Sequence, residues 1–468
     1  MKVLVAIANY GTGNDKFLSQ VLGEFRAMPY EVDIVVNTNI PKNLGPGVEV
    51  VVGFPAADPR SLPFAHKQIF ADRSDKYDLF IYTEDDTLIT KENIEAFLRV
   101  TAVLPENELA GFLRTEQRSD GAVFFPDVIF HYHWDVESIR RRGAYKFAFF
   151  SDEHSGSYIL TKEQLRGAIA SGGFLVPFYD EKYPPLETAA TDPYTQCGFR
   201  KMMCISHFQD FILPHLSNKY AGNGITVAGE EFYRQLDALL ALSQNGNHAK
   251  PLFPVETKLY HCHWSKWYYE PCQKQLIALV PKSANRVLSV GCGWGVTEKQ
   301  LIDEGRHVTA IPIDPVIGAC AQARGVEVVC GDLRAAIEKL GKKRFDCVLL
   351  SNVLHLVREP VEFLSPLAEL LNPDGCIIAS VPNVSWFRWV SREIRLRGHK
   401  ANPESYEKSG MHVSTGRLLR HWFRGAGLRP IKSVYEVADK KQSANALTAG
   451  IAKSLLASNV YISGVRNQ

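Results

Sequence analysis

The stretch that decides the fold of the second half of the chain is VLSVGCGWG, at residues 287–295. Its first four residues are mostly apolar, as in a buried strand, and they run directly into three glycines at alternate positions. Glycine adopts positive φ without strain and lets a ligand approach the main chain closely. A strand, a glycine-rich turn and a helical pattern in this order predict the start of a βαβ nucleotide-binding unit.

The strands predicted in this half end in polar residues suited to a nucleoside. These strands are 286–290, 307–313, 327–329, 345–350 and 376–381. Asp314 follows the second of them, and its carboxylate can accept hydrogen bonds from both hydroxyls of a ribose. Asp332, between Gly331 and Leu333, follows the third strand, where a carboxylate can meet the amino group of an adenine.

Residues 286–428 resemble the class I S-adenosylmethionine-dependent methyltransferases. The segment FDCVLLSNVLHL at 345–356 is similar to the family's fourth strand and loop, and NPDGC at 372–376 to the turn before its fifth strand. SVPN at 380–383 and GMHV at 410–413 resemble a subgroup found beside sugar-modifying enzymes. The resemblance implies a Rossmann-like seven-stranded sheet and S-adenosyl-L-methionine as cofactor. The residues implied to contact it are Gly291, Gly293, Gly295, Asp314, Asp332 and Leu333.

Two residues depart from the family pattern. Ser289 stands where the family usually has an acidic residue that helps to hold the methionine end of the cofactor, and His355 stands where a loop glutamate is common. His355 and His412 are the candidate bases for a hydroxyl acceptor, because imidazole titrates near working pH. The alternative for each is a structural, hydrogen-bonded histidine. A dinucleotide-dependent dehydrogenase is the competing function, but the glycine spacing fits it less well.

An acidic strand end dominates the first half. In DLFIYTEDD, at 78–86, a buried strand runs into three consecutive carboxylates. Clustered carboxylates repel one another, so Mn²⁺ or Mg²⁺ shared with a diphosphate is a suitable partner. The alternative is that the acids favour the positive end of the helix predicted over 91–100.

Residues 1–265 resemble the glycosyltransferases of the GT-A fold through this acidic motif. The resemblance implies a metal ion held by Glu84 and Asp86, with the late His263 as third ligand, and a nucleotide-sugar donor near Asn9 and Tyr10. The same metal would stabilise charge on the departing diphosphate. As zinc ligands instead, the histidines and cysteine of 261–272 lack a convincing fourth partner.

The polar segment 150–158 interrupts a strand pattern beside the expected cleft. Asp152 or Glu153 is the candidate base if sugar transfer inverts the anomeric centre, whereas retention of configuration needs no base. The sequence leaves these two stereochemical outcomes open.

Composition divides the chain in two. Its 468 residues are enough for two or three domains. Residues 1–265 carry 25 Lys and Arg against 33 Asp and Glu, and the remainder carries 28 against 18. We therefore expect two α/β domains, both doubly wound: 1–265, a linker at 266–282, and 283–468. The net charge of +2 gives no sign of a nucleic-acid partner.

The expected location is the cytoplasm. The nine cysteines include no CxxC pair, which is typical of reduced thiols, and no window approaches 18 uninterrupted apolar residues. The aromatic and basic stretch 386–397 fits either a packed helix with solvated arginines or a peripheral contact with an anionic glycan or the inner face of a membrane.

These features predict a bifunctional enzyme of polysaccharide or other glycan biosynthesis. The first domain would transfer a sugar from a nucleotide-sugar donor to a glycan or lipid-linked saccharide, with a metal ion. The second would methylate the glycan, at oxygen. The alternative is a methyltransferase whose first domain is a non-catalytic module that binds a glycan or a partner. A third possibility is that the methyl acceptor is a small metabolite.

Overall fold

The computed structural model describes residues 1–245, 250–384, 406–437 and 453–467. The chain forms two compact units, Met1–Gly246 and Asn247–Gln468. The boundary therefore lies before the linker predicted at 266–282. The main chain of 250–270 belongs to the second unit because its groups pair there. The N–H of Leu252 donates to the carbonyl of Ile313 (2.7 Å), and that of Trp294 donates to the carbonyl of Tyr268 (3.0 Å).

The first unit is built around a parallel sheet with one antiparallel edge strand. Its strands are β1 (Lys2–Asn9), β2 (Glu31–Thr38), β3 (Val48–Val52), β4 (Leu79–Glu84), β5 (Glu108–Ala110), β6 (Leu113–Gln117), β7 (Val123–Phe125), β8 (Trp134–Arg142), β9 (Tyr145–Phe150), β10 (Ser157–Thr161), β11 (Arg200–Cys204), β12 (Ile212–Pro214) and β13 (Val227–Ala228). Its helices are α1 (Asp15–Ala27), α2 (Ala65–Asp72), α3 (Lys91–Thr101), α4 (Lys162–Ala170), α5 (Pro185–Thr195) and α6 (Gly229–Asn245), with 3-10 helices at Pro59–Phe64 and Ile205–Phe211.

The order of this sheet is β10-β4-β1-β2-β3, and only β10 runs antiparallel to its neighbour. Val5 of β1 pairs with Ile34 of β2 and Ile81 of β4, so the three strands end at one edge. Strand β1 is buried on both faces, as is usual for a central parallel strand. Because these four strands are parallel, their shared carboxyl edge gathers the polar residues that follow them.

Two smaller four-stranded sheets, β5-β11-β9-β8 and β12-β6-β7-β13, complete the first unit. The apolar run 109–113 is typical of a single strand, but the chain divides there into β5 and β6, in different sheets. Gly111 lies at the division, where a β-carbon would be 2.4 Å from Cγ of Lys201. The unit is an α/β structure with mixed sheets, and the GT-A assignment stays a prediction.

The second unit is an α/β structure around a seven-stranded sheet. Its strands are β14 (Arg286–Cys292), β15 (His307–Pro312), β16 (Glu327–Val328), β17 (Phe345–Ser351), β18 (Leu371–Pro382), β19 (Leu428–Val437) and β20 (Ala457–Arg466). Its helices are α7 (Lys274–Ile277), α8 (Val296–Asp303), α9 (Pro315–Ala323), α10 (Leu333–Leu340), α11 (Pro360–Glu369), α12 (Tyr406–Ser409), α13 (Gly416–Gly425) and α14 (Lys453–Leu456), with a 3-10 turn at Tyr260–Cys262.

The strand order is β16-β15-β14-β17-β18-β20-β19, with β20 antiparallel to both of its neighbours. The predicted seven-stranded sheet is confirmed, with β14 near its centre. Strand order reverses between β15 and β17 on either side of β14, and ligands bind at such switch points of open α/β sheets. The glycine turn after β14 lies at this point.

All nine cysteines lie in the described ranges, as thiols and not as disulfides. Within the described ranges, no helix combines the length and the apolar character needed to cross a membrane. The predicted aromatic and basic stretch at 386–397 lies outside the described residues.

Candidate functional sites

The glycine turn after β14 is closely covered by main chain. Gly291 and Gly295 have φ values of 76° and 88°, which a side chain rarely tolerates. Gly293 faces the segment just before α7, and a β-carbon on it would lie 2.1 Å from the carbonyl oxygen of Tyr268. A side chain at 293 would therefore collide with the segment that packs over the turn, so this position requires glycine.

Two predicted carboxylates cap the helices that follow the neighbouring strands. One oxygen of Asp314 accepts from the N–H groups of Val316 (2.8 Å) and Ile317 (2.9 Å) at the start of α9. Asp332 accepts from the N–H of Ala335 (2.9 Å), and Leu333 begins α10. The strands before them are parallel to β14, so these carboxylates lie at the carboxyl edge of the same sheet.

Tyr268 contributes a further group to this edge. Burial, together with the charge of Asp314 and a hydrogen bond to it, raises the pKa of the Tyr268 hydroxyl well above its ordinary value. No sequence motif points to Tyr268, because it precedes the glycine turn by more than twenty residues and reaches it only through folding.

A buried network of charged side chains lies beside the glycine turn. The hydroxyl of Ser289 donates to Glu298 Oε1 (2.6 Å). The ammonium of Lys266 donates to Glu270 Oε1 (2.6 Å) and to the carbonyl of Ser351 (2.8 Å). The Ser351 hydroxyl donates to the second oxygen of Glu270 (3.2 Å). The two glutamates were missed from sequence, although an acid in the helix after the glycine turn could have been sought once Ser289 was seen to depart from the pattern.

The two candidate bases lie next to each other. The His412 N–H donates to the His355 carbonyl (2.7 Å), and Nε2 of His412 donates to the carbonyls of Val357 and Arg358, both at 3.0 Å. Nε2 of His355 donates to the carbonyl of Trp264 (2.8 Å), so its Nδ1 carries the lone pair. That Nδ1 is buried and has no partner among the described residues. Burial lowers the pKa of His355 to about 4, so the ring is neutral at pH 7.

His263 belongs to the second unit, whereas Glu84 and Asp86 belong to the first. Its ring is close to those of Tyr260 (6.2 Å), His261 (5.9 Å) and Trp264 (6.2 Å). His261 and Trp264 have positive φ values of 50° and 64°, which marks a strained stretch of main chain.

In the first unit, Asp85 is held by two asparagines. Nδ2 of Asn9 donates to its Oδ2 (2.6 Å), and Nδ2 of Asn14 donates to its Oδ1 (2.7 Å). Burial raises the pKa of Asp85. The side chain of Asn9 therefore lies at the carboxyl edge of the sheet, bonded to the acidic motif, whereas Tyr10 is 61% exposed. Asn37, at the end of β2, is buried with neither side-chain atom bonded to any described residue.

Asp86 belongs to a buried carboxylate–histidine–carboxylate chain. His215 Nε2 lies 3.2 Å from Asp86 Oδ2, and its Nδ1 lies 2.5 Å from Glu116 Oε1. Burial disfavours the charges, but His215 lowers the pKa of Asp86 to about 2, while Asp86 and Glu116 together raise that of His215. The sequence did not single out His215, because nothing local connects it to a motif about 130 residues earlier.

Glu84 contacts Arg114 Nη1 (3.4 Å), and Arg114 also forms a buried ion pair with Asp127 (2.6 Å). The predicted metal ligands Glu84, Asp86 and His263 thus have separate partners. In the ranges that the structure describes, no set of three or more His, Cys, Asp or Glu side chains is arranged to hold a metal ion. The residues as placed do not fit the implied ion, and no chemical step is derived through it.

The candidate bases of the first unit lie between β9 and β10. Asp152 is buried beside Asp127, and burial followed by that neighbouring charge raises its pKa well above the ordinary value. Glu153 Oε2 accepts from Lys182 (2.8 Å) and from the Tyr183 hydroxyl (2.9 Å). Asp152 therefore favours its protonated form, and Glu153 is tied into an ion pair.

Residues 264–433 match the family described as "Methyltransferase domain". The chain is 37% identical over 109 residues to the ubiquinone biosynthesis O-methyltransferase of Xylella fastidiosa, an alignment that covers 22% of this chain and 44% of that protein. It is 31% identical over 114 residues to the enzyme of the same name from Cereibacter sphaeroides, with 24% and 46% covered. The chain thus spans less than half the length of these curated relatives.

Among solved structures, the chain is similar to a SAM-dependent methyltransferase from Archaeoglobus fulgidus. The identity is 17%, the TM-score is 0.32, and the match covers 41% of this chain and 90% of that one. The family match, 264–433, lies within the second unit and includes the glycine turn, both capping aspartates and both candidate bases.

Proposed function

We propose, from the premise that residues 264–433 form a class I S-adenosylmethionine-dependent methyltransferase domain, that this protein transfers a methyl group to an oxygen atom of a saccharide. The observation that carries the proposal is the glycine turn of Gly291, Gly293 and Gly295, with Asp314 and Asp332 at the same sheet edge. The matched relatives are named as O-methyltransferases, which supports oxygen as the accepting atom.

The residues at this sheet edge suit the parts of the cofactor. The glycine turn admits its backbone approach, Asp314 is suited to the ribose, and Asp332 with Leu333 to the adenine. The sulfonium of S-adenosylmethionine supplies a methyl group that is already activated for transfer. The remaining tasks of the protein are to orient the acceptor hydroxyl and to receive its proton.

His355 is the group best suited to receive that proton. Its Nε2 is committed to the Trp264 carbonyl, and its Nδ1 keeps a buried lone pair without a partner among the described residues. A neutral imidazole with an available nitrogen can accept a proton from a hydroxyl. His412 supports the position of His355 through the main-chain bond between them.

Calorimetric titration with S-adenosylhomocysteine tests cofactor use, and methyl transfer from labelled S-adenosylmethionine tests the acceptor. Saccharides and catechol-type phenols should be offered in parallel, because the relatives' names point to ubiquinone biosynthesis. Methylation of saccharides alone supports the proposed acceptor. Methylation of phenols alone would contradict the saccharide assignment while retaining O-methylation, and failure to bind S-adenosylhomocysteine would contradict the whole proposal.

For the first unit we propose sugar transfer from a nucleotide sugar to a glycan or lipid-linked saccharide. Support comes from the carboxyl edge of β1, β2 and β4, where Asn37 is buried with unused donor and acceptor atoms. Buried polar groups are nearly always bonded, so an Asn37 without partners in the described protein favours a ligand there. The alternative is a module that binds a glycan or a partner without turnover.

The experiment for the first unit measures nucleotide-sugar turnover with and without added MnCl₂. The informative variant is Asp86→Asn, with Asp120→Asn as its control, because Asp120 is an exposed partner of Arg118. Turnover of a nucleotide sugar that Asp86→Asn abolishes and Asp120→Asn retains supports sugar transfer, whether or not it depends on the added metal. Binding of a saccharide without turnover of any donor would favour the binding module.

A further inference from the structure

Ser289 stands at the strand position where the family pattern has an acidic residue. The family pattern places a carboxylate there to hold the methionine end of the cofactor, which carries an ammonium group. Ser289 is buried at the centre of the seven-stranded sheet and presents a neutral hydroxyl. A cation cannot be balanced by that hydroxyl alone, so the charge has to come from elsewhere.

Glu298 lies where it can supply that charge. It sits in the first turn of α8, directly after the glycine turn, and is 5% exposed. Its Oε1 accepts the Ser289 hydroxyl at 2.6 Å, so the serine fixes the carboxylate beside the strand end where the family acid would be. Ser289 of β14 and Glu298 of α8 therefore place a carboxylate close to the position of the family's strand-end acid.

The buried ammonium nearest in influence to Glu298 is already paired with another carboxylate. Glu270 is paired with Lys266, whose ammonium also donates to the Ser351 carbonyl. Glu298 lies close enough to both for each to influence its ionisation, but its own side-chain bond is to a neutral hydroxyl. Two buried carboxylates facing one buried ammonium have an excess negative charge, which a ligand ammonium would balance.

Glu270 and Ser351 already bind an ammonium group in this buried network. The Lys266 ammonium is bound there by one carboxylate oxygen and one carbonyl oxygen at 2.6 and 2.8 Å. Oxygen acceptors at these distances are the usual partners of a primary ammonium. The surroundings are therefore suited to cations, and Glu298 is their remaining acidic member.

We infer that Glu298, oriented by Ser289, binds the α-ammonium group of the cofactor in place of the family's strand-end acid. This inference rests on the proposed methyltransferase function and assigns a cofactor-positioning role to a residue outside the glycine motif. Burial raises the pKa of Glu298 in the absence of a cation, and a bound ammonium would favour its ionised form.

The test compares two ligands that differ in the amino-acid end. S-adenosylhomocysteine carries the ammonium group, whereas 5′-methylthioadenosine has the same nucleoside without it. Glu298→Gln keeps the shape and the contact with Ser289 but removes the charge. We expect this variant to bind S-adenosylhomocysteine at least about tenfold more weakly, as for loss of a charged hydrogen bond, with 5′-methylthioadenosine affinity changed by less than about twofold.

Two further variants complete the comparison. Glu338→Gln makes the same charge change at an exposed site on α10 and should leave both affinities unchanged. Ser289→Asp in the Glu298→Gln background returns an acid to the strand end and should restore the preference for S-adenosylhomocysteine. If Glu298→Gln did not fold, Ser289→Ala would give the same comparison, with a smaller selective loss.

The outcomes separate this inference from the proposed function. Wild-type protein that binds neither ligand would overturn both. Wild-type binding of S-adenosylhomocysteine with no selective loss in Glu298→Gln would overturn the inference and leave the methyltransferase intact. Equal weakening of both ligands would also overturn it, because it would indicate a distorted nucleoside site rather than a lost ammonium contact.

Discussion

Gly293 faces Tyr268 so closely that a β-carbon on the glycine would lie 2.1 Å from the tyrosine's carbonyl oxygen. The same carbonyl accepts the N–H of Trp294 (3.0 Å), so main chain holds the two segments together. A side chain at 293 could be accommodated only by moving the segment before α7 or by opening the glycine turn.

Gly293→Ala should therefore abolish cofactor binding while the rest of the second unit stays folded. The measurement is calorimetric titration with S-adenosylhomocysteine, together with far-ultraviolet circular dichroism. Gly305→Ala is the control: its φ is 87° and a β-carbon there would meet no atom within 4 Å, so it should cost about 1 kcal/mol of stability without changing affinity. Unchanged affinity in Gly293→Ala would contradict a cofactor site at this turn.

Lys67 and Asp192 form an ion pair in the first unit, with 3% and 0% of their side chains exposed. Lys67→Met should lower the free energy of unfolding by about 3 kcal/mol or more, because it leaves a buried carboxylate without its cation. Urea denaturation measures the change. Lys91→Met is the matched control, since its partner Glu95 is exposed and the expected loss is below about 0.5 kcal/mol. Similar losses in both variants would contradict a dominant role for burial.

Asp86 should make the first unit sensitive to acid. Its pKa is about 2 in the folded protein because His215 opposes the effect of burial, whereas the ordinary value is 3.8. The ionised carboxylate therefore stabilises the fold above about pH 4, and this stabilisation is lost as the pH falls through about 2. Asp86→Asn should reduce the free energy of unfolding by about 2 kcal/mol at about pH 6 and by much less at about pH 2.

Hydrogen exchange of peptides covering β4, followed as a function of pH, measures this difference in the unit concerned. Asp120→Asn is the control, because Asp120 is exposed and paired with Arg118 on the surface. A deficit in Asp86→Asn that stayed constant across this pH range would show that the lost contact does not depend on ionisation.

The sequence predicted the features that depend on local pattern. Apolar runs such as 79–83 indicated the parallel strands, and the glycine turn with Asp314 and Asp332 indicated the expected site edge, because each signal is carried by residues a few positions apart. The antiparallel strands β19 and β20 were not predicted, since their place in the sheet depends on pairing across the whole unit rather than on periodicity.

The site residues that were not predicted from the sequence are far apart in the chain and meet only when it folds. Glu116 and His215 are separated by 99 residues and meet in one hydrogen bond, and Lys266 reaches Ser351 across 85 residues. No spacing rule connects such pairs. The predicted metal ligands Glu84 and Asp86 are only two positions apart in the sequence. In the fold, however, Glu84 contacts Arg114 and Asp86 contacts His215.

His355 is the residue proposed to receive the proton of the acceptor hydroxyl. His355→Gln should reduce the turnover number for methyl transfer by about a hundredfold or more and leave S-adenosylhomocysteine affinity unchanged, because the role proposed for the ring is at the acceptor and not at the cofactor. His412→Gln should have a much smaller effect, since its Nε2 is bonded to two carbonyls. The double variant should lose transfer and retain cofactor binding.

The pH profile distinguishes a base from a structural histidine. Because the pKa of His355 is about 4, the ring is neutral above about pH 5, and its protonation should cause no fall in rate between about pH 8 and about pH 6. A rate that fell with a midpoint near the ordinary histidine value of 6.5 would assign the base to another group. Full activity in the double variant would leave both histidines with a structural role, as donors to the Trp264 and Val357 carbonyls.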